Sequence, residues 1–412
     1  MTQIPLYFDY LDTNDRNIKK QNGWDLGYEK YIAYNDDNAE SFIPAPLRSN
    51  MIRVNSSYKG KYFYPLYAHV EATSCVGHFI NDPDTIINIP RKVLKDIKNG
   101  KARILLINVY EGHGWLEFEK FFKYKLQGPY NLKKSDIVFL TGNTVKTING
   151  IVNVYFNEWE HILIHHEGLH PDMVRLALEN IYSNRLREHK YICLQRRPHM
   201  HRLALYAEMY RYKDIGILTM GNGDHELDLL NDITTPELFE NIEVNHPKSF
   251  KKFIALKDTI PREYDVNLSE ENPTSDNNYE KYLDSYLHIV SETFQQNESD
   301  RLFFSEKMIK PFVFMQPFVL FGASNSLVTL KDLGYQTFDK WIDESYDTIE
   351  NDTKRFYAAL TSVKHFITKD KIEMHELMME MVPIFLHNYF NLSNSIKNSE
   401  KLLNDLKNAF PD

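Results

Sequence analysis

Residues 285–334 read SYLHIVSETFQQNESDRLFFSEKMIKPFVFMQPFVLFGASNSLVTLKDLG, and their punctuation decides the fold. SYLHIVSET is a short apolar run with the length of a strand, SEKMIKPFVFM begins a helix, and PFVLFG is a second strand. SNSLVTLKDLG is a second helix with Gly334 placed to end it. Short strands separated by helices pair in parallel, and such sheets are covered on both faces.

The same logic extends in both directions. Upstream, YICLQ (191–195) reads as a strand, HRLALYAEMYRY (201–212) as an amphipathic helix and DIGILTM (214–220) as a strand. An irregular polar stretch with at most two helices follows over 221–278. Downstream, QTFDKWIDESYD (336–347) turns into terminal helices. Their apolar residues Phe356, Ala359, Leu360 and Val363, then Met374, Leu377, Met378 and Met381, recur at helical spacing and read as core.

From about residue 60 the first half alternates likewise: FYPLYAHV, RILLINVY before WLEFEKFFKYKLQ, DIVFLTGN, then VNVYF before PDMVRLALENIYSNRLRE. The expected fold class is α/β, with two Rossmann-like domains facing across a cleft. Residues 1–185 form the first domain, joined near 183–189 to a second over 186–370, and helices follow over 371–412. Ligands of such sheets gather at the carboxyl ends of the strands.

Composition narrows the classes. A chain of 412 residues with 42% hydrophobic and 25% charged residues can bury a large core, which excludes disordered and fibrous proteins. Lys plus Arg (48) against Asp plus Glu (57) gives a net charge of −9, which argues against a general nucleic-acid coat but permits a local basic groove. Two cysteines, Cys75 and Cys193, are too few for a disulfide framework and fit a reducing compartment. The opening MTQIPLYFDYLDTNDR lacks the basic start and apolar core of a signal peptide, and no apolar run reaches the ~18 residues of a membrane span. The expectation is a cytoplasmic protein, in the host cytoplasm if viral, with no membrane partner.

Three segments carry candidate chemistry. Ser305-Glu306-Lys307 opens a helix, where backbone N–H groups and the dipole favour anions; Lys307 can neutralise a phosphate and Glu306 can accept from a ribose diol. The spacing equally allows Ser305 as a helix cap with Glu306 and Lys310 as an i,i+4 pair. In Cys193–Arg202 (CLQRRPHMHR), a strand ends in a cationic turn. Arg196, Arg197 and Arg202 with two histidines there call for an anion, and Arg forks suit a diphosphate. The third, Tyr110-Glu111-Gly112-His113-Gly114, follows RILLINV. Glu111, or His113 in reserve, can serve as the base that takes an acceptor hydroxyl's proton.

FFSEKMIKPF followed by QPFVLFG resembles the donor-binding motif of the α1,3-fucosyltransferase family, in which a Thr/Ser-Glu-Lys triplet begins a helix and an apolar strand follows. Over about 285–347, and more weakly over LQRRPHMHR, the chain is also similar to phage-encoded glycosyltransferase-like proteins with the same order of Ser-Glu-Lys, Lys-Pro, Pro-Phe, Leu-Gly and Thr-Phe. The resemblance implies a GT-B fold with a nucleoside diphosphate sugar held mainly by the second domain. It places Glu306 on the ribose, Lys307 and Arg196 or Arg197 on the diphosphate, and a glutamate base in the first domain. Lys310-Pro311 departs from the eukaryotic pattern, which leaves sugar and base open.

These readings give an inverting glycosyltransferase that needs no cofactor and no metal, with the nucleotide sugar as co-substrate and either a glycan or DNA, such as a hydroxymethylated pyrimidine, as acceptor. Two alternatives remain open. One is a nucleotide- or sugar-binding protein without catalysis. The other is a zinc hydrolase, because His166-Glu167-Gly168-Leu169-His170 satisfies the H-E-x-x-H pattern. Gly168 and Pro171 disfavour the continuous helix that zinc ligation requires. Asp82-Pro83-Asp84 reads as a turn, and neither Thr141-Gly142-Asn143 nor Gly221-Asn222-Gly223-Asp224 forms a P-loop or dinucleotide fingerprint.

Overall fold

A computed structural model describes residues 3–8, 33–34, 43–68, 89–109, 115–145, 150–160, 171–183, 185–195, 199–220, 242–256, 279–293, 295 and 301–410. The chain folds as two units. One comprises Met1–His161, Glu298–Phe303 and Asn394–Asp412, and the other Ile162–Asn297 and Phe304–Ser393. The division thus falls at 161/162, where 185/186 was expected. The residues expected as a separate terminal part, 371–412, are shared between the two units.

The first unit contains β1 (Ile4–Tyr7), β2 (Ala33–Tyr34), α1 (Ala45–Ser49), β3 (Met51–Val54), β4 (Tyr62–Ala68), α2 (Arg91–Lys98) and β5 (Ala102–Asn108). After these come α3 (Trp115–Phe121), which runs on as a π-helical segment at Phe122–Gln127, then β6 (Ile137–Thr141) and β7 (Val152–Tyr155). Six strands lie in the order β3-β1-β4-β5-β6-β7, all parallel, and β2 adds antiparallel to β4. The alternation therefore starts earlier than residue 60: IPLY is β1, seated between β3 and β4.

The second unit contains α4 (Pro171–Tyr182), β8 (His189–Cys193), α5 (Met200–Met209), β9 (Ile217–Leu218), α6 (Pro247–Leu256), α7 (Tyr279–Leu283) and β10 (Ser285–Ser291). It continues through α8 (Glu306–Val313), β11 (Phe318–Phe321), α9 (Ser326–Asp332), α10 (Asp352–Thr368) and α11 (Lys371–Ser393). Its four strands are parallel in the order β11-β10-β8-β9. Gly334 ends α9 at φ +89°, the left-handed conformation expected of it. Gly216, just before β9, lies so close to Tyr191 that a Cβ there would stand 2.3 Å from the ring. Both sheets agree with the α/β expectation.

Strand composition follows from this double cover. Every residue of β10 is buried, and in β5 all but Arg103 are. Alternate residues of β5 serve opposite cores. Ile104 and Leu106 pack with Val93 and Ile97 of α2 and Phe118 of α3. Leu105 and Ile107 pack with Leu47 of α1 and with Leu402, Leu403 and Leu406 of α12 (Ser395–Asn408), the last helix of the chain. In α2, Val93 and Ile97 lie four residues apart on the inner face, and Lys92 bonds Asp96 at 2.6 Å on the other.

Leu406 is fully buried in the first unit's core. Its replacement by alanine should cost about 2–5 kcal/mol. Calorimetry of Leu406→Ala should show the first unit melting several degrees lower; an unchanged thermogram would mean that α12 adds no stability to that sheet.

Candidate functional site

The chain enters the second sheet at β8 in its middle, moves out to β9, and returns to the other side for β10 and β11. The order reverses between β8 and β10, and open parallel sheets bind ligands at the carboxyl ends of the strands flanking such a reversal. β8 ends at Cys193-Leu194-Gln195, and β10 ends at Ser291-Glu292.

Glu292 organises this edge. Its backbone N–H donates to Phe321 O (3.1 Å), and its carbonyl accepts from Nε2 of His201 (2.9 Å). Its carboxylate accepts from the backbone N–H of Ser305 (3.0 Å) and from Ser305 Oγ (2.6 Å). Burial pushes this carboxyl up, against the opposing pull of Lys307 and Ser305. The same Ser305 Oγ accepts from the N–H of Lys307 (3.3 Å), so Ser305 is the N-cap of α8 as the spacing allowed.

Arg202 lies in the first turn of α5, 2% exposed, and donates to Ser291 O at 3.2 Å. One position before it, His201 is buried as well. Desolvation, with the neighbouring charge of Arg202 and the nearby His199, holds its pKa well below the usual value. It is therefore neutral and donates from Nε2, because a carbonyl can only accept. His199, at the N-cap position of α5, makes no side-chain capping bond. Helix α9 differs: both oxygens of Asp347 accept from its first amides, Leu327 N (2.9 Å) and Val328 N (3.2 Å). An anion seeking helix amides at this sheet edge therefore meets a carboxylate at α9, whereas at α5 the N-cap side chain makes no capping bond.

Lys307 and Glu306 point at each other. Lys307 Nζ stands 2.5 Å from Glu306 Oε1 and 3.4 Å from Ser305 Oγ. Burial would raise the Glu306 carboxyl, but Lys307, Lys310 and backbone hydrogen bonding bring it down to about 2. The roles implied for these two residues, ribose and diphosphate, require a ligand that takes over the partners they now give each other. Lys310, one turn on, donates to the Tyr282 hydroxyl (3.3 Å) and lies over its ring at 5.6 Å.

Two buried polar atoms at this edge, Gln195 Oε1 and Ser291 Oγ, have no hydrogen-bond partner among the described residues. Gln195 lies within the Cys193–Arg202 segment, but nothing in CLQ singles it out beside the arginines. Cys193 below it is inert, its thiol pushed up to about 12 by burial. Arg355 of α10, also missed, fixes the edge from behind: it donates to Gly322 O (3.0 Å) after β11 and Gln295 O (2.5 Å) after β10, and pairs with Asp352.

Ser305, Glu306, Lys307, Lys310 and Arg202 thus belong to one unit, and four of the five flank one sheet edge. Arg196, Arg197, Glu111 and His113 lie outside the described residues, as do the His166–His170 pattern, Asp82–Asp84 and Gly221–Asp224. Among the described residues no group of three His, Cys, Asp or Glu side chains could hold a metal ion. No helix among them is long and apolar enough to cross a membrane. Thr141-Gly142-Asn143, in the first unit, is structural. Asn143 Oδ1 accepts from Leu302 N (3.0 Å), and a Cβ on Gly142 would meet the Phe303 ring at 2.6 Å.

No family model matches the chain, and no curated protein is similar to it. Among solved structures, the N-terminal domain of trehalose-6-phosphate phosphatase from Candida albicans aligns over 98% of this chain and 97% of that one, at 9% identity and a TM-score of 0.36. A likeness of that degree defines no common fold.

Buried histidines give the second unit an acid sensitivity. Burial lowers His246, packed edge-on against Phe356 at 4.5 Å, from 6.5 to about 4. Between those values the unfolded chain binds a proton that the folded chain does not, so stability falls as pH falls through this window. Going from pH 7 to pH 5, this group alone should remove about 2 kcal/mol. Urea melts of wild type and His246→Gln at both pH values check this, and equal losses in the two proteins would refute it.

Proposed function

We propose that the second unit binds the diphosphate of a nucleotide sugar at the carboxyl edge of β8 and β10, and that the protein is an inverting, metal-independent glycosyltransferase of GT-B type. The observation that carries the reading is the convergence on Glu292 of two helix starts: α5, with Arg202 and without a side-chain cap from His199, and α8, with Ser305, Glu306 and Lys307. The resemblance of FFSEKMIKPF to the fucosyltransferase donor motif supports it from the sequence side.

In this reading the acceptor hydroxyl attacks the anomeric carbon as the bond to the diphosphate oxygen breaks. Its proton passes to Glu111 or His113. Arg202 and Lys307, joined by Arg196 or Arg197, meet the charge that develops on the leaving diphosphate. Such preorganised charge is a large catalytic contribution. Glu306, freed from Lys307, accepts from the ribose diol. Gln195 Oε1 and Ser291 Oγ, buried and without a partner among the described residues, are additional acceptors for the nucleoside.

A thermal-shift panel of nucleoside diphosphates and nucleotide sugars without added metal tests the reading. A ligand at 100 times its Kd adds about 2.7 kcal/mol, a shift of several degrees. One diphosphate should stabilise the wild type and fail to stabilise Lys307→Ala. A flat panel would overturn the reading, and binding without transfer to any acceptor would reduce it to a nucleotide-binding protein.

A further inference from the structure

A second basic feature lies in the first unit, well apart in sequence from the Cys193–Arg202 and Ser305–Lys310 segments. Residues 119–134 read EKFFKYKLQGPYNLKK. The π-helical segment Phe122–Gln127 turns Phe122, Lys125 and Leu126 inward and leaves Lys123, Tyr124 and Gln127 exposed. Lys120 precedes them on the same helical face, three residues before Lys123. The helix runs on through Gly128–Tyr130 and ends at Asn131 in the left-handed conformation (φ 55°), after which Lys133 and Lys134 lie back alongside. Together with Glu119 they line a cavity of about 460 Å³.

The charge of this cavity is unbalanced. Lys134 pairs with Glu119. Lys120, Lys123 and Lys133 form no ion pair among the described residues, where the Asp136 carboxylate accepts only from the backbone N–H of Lys133 (2.7 Å), so the cavity lining holds four lysines against one carboxylate, Glu119. Tyr124 is 51% exposed, and the Lys123 ammonium lies 5.3 Å from its ring centroid. Separate lysine point charges beside an exposed ring are the elements of single-strand binding: the ammonium groups follow the phosphodiester backbone and the ring stacks on a base. A phosphopeptide site would instead use the planar fork of arginine, which no residue of the cavity supplies.

We infer that this lysine cavity is a binding site for single-stranded nucleic acid. The binding itself is independent of the donor-site reading. Only the further step, that the bound strand is the sugar acceptor, rests on that reading.

The test is fluorescence anisotropy of a 5′-labelled 15-nucleotide oligothymidylate with the full-length protein and no nucleotide sugar. Three lysines on a single strand give a slope of log K against log salt of about −2, so affinity should fall roughly 15- to 20-fold from 50 to 200 mM salt. Lys120→Gln/Lys123→Gln/Lys133→Gln should abolish the salt dependence and weaken binding at least about tenfold, as the loss of three backbone contacts requires. Lys95→Gln/Lys98→Gln/Lys101→Gln, the same charge change on exposed lysines elsewhere in the unit, should leave binding intact. Tyr124→Ala should weaken single-strand binding about fivefold or more and leave duplex binding unchanged.

A melting curve confirms that each variant is folded. Photocrosslinking of a 5-iodouracil strand to wild type, expected to label the peptide 119–134, provides a readout that needs no variant. Absence of binding at 50 mM salt, equal loss in both triple variants, tighter binding of duplex than of single strand, or crosslinking elsewhere would each overturn the inference. Because the diphosphate panel reads Lys307 in the other unit, failure of one experiment leaves the other standing.

Discussion

A parallel strand has to be covered on both faces, and most of this structure follows from meeting that demand twice. Parallel neighbours cannot be joined by a tight turn, so crossovers such as α2 between β4 and β5, α5 between β8 and β9, and α8 between β10 and β11 lay helices on the sheets. In the first unit, α2 and α3 close one face of β4, β5 and β6, and α1 and α12 close the other. In the second unit the same demand makes every residue of β10 and β11 apolar or buried, and leaves the carboxyl edge as the place where polar groups can collect.

At that edge the structure deals with charge by local pairing. Arg202 is buried against a carbonyl, Arg355 is satisfied by carbonyls and one carboxylate, and Lys307 lies against Glu306. His201 is kept neutral by its surroundings. Buried charge is tolerated only with such partners. Any anionic ligand here competes with existing contacts, and its affinity is the difference between the two sets. The Ser305–Glu292 bonds stand apart from this exchange, because they join the end of a strand to the start of a helix and fix the frame on which the charged groups sit.

The elements were legible to the extent that periodicity carried them. RILLIN, DIVFLT, SYLHIVS and FVLF are strands because no polar residue interrupts both faces, and Gly334 ends its helix where its φ requires glycine. IPLY was missed: four residues with a proline among them carry too little pattern to stand out, and only pairing with β3 and β4 shows what they are. The residues of the candidate site were legible where they sit in one motif, as Ser305, Glu306 and Lys307 do. Gln195 and Arg355 were not: the burial of Gln195 Oε1 at the strand end and the bond of Arg355 to Gln295 O, 60 residues away, are products of the tertiary fold that no local spacing encodes. The pairing of Lys307 with Glu306 was equally invisible, since adjacent charges in a helix do not normally face each other.

The path of the chain through the first unit bears on how the protein is made. Its core combines strands drawn from residues 4–155 with Leu402, Leu403 and Leu406, which are translated after the whole of the second unit. During synthesis the hydrophobic face formed by Leu105, Ile107, Val138 and Leu140 stays open while more than two hundred residues of the second unit, Ile162–Asn297 and Phe304–Ser393, are added. The second unit can close first, and the first unit reaches its native packing only once α12 has been made. Until then that open hydrophobic face is the surface of the first unit most exposed to aggregation.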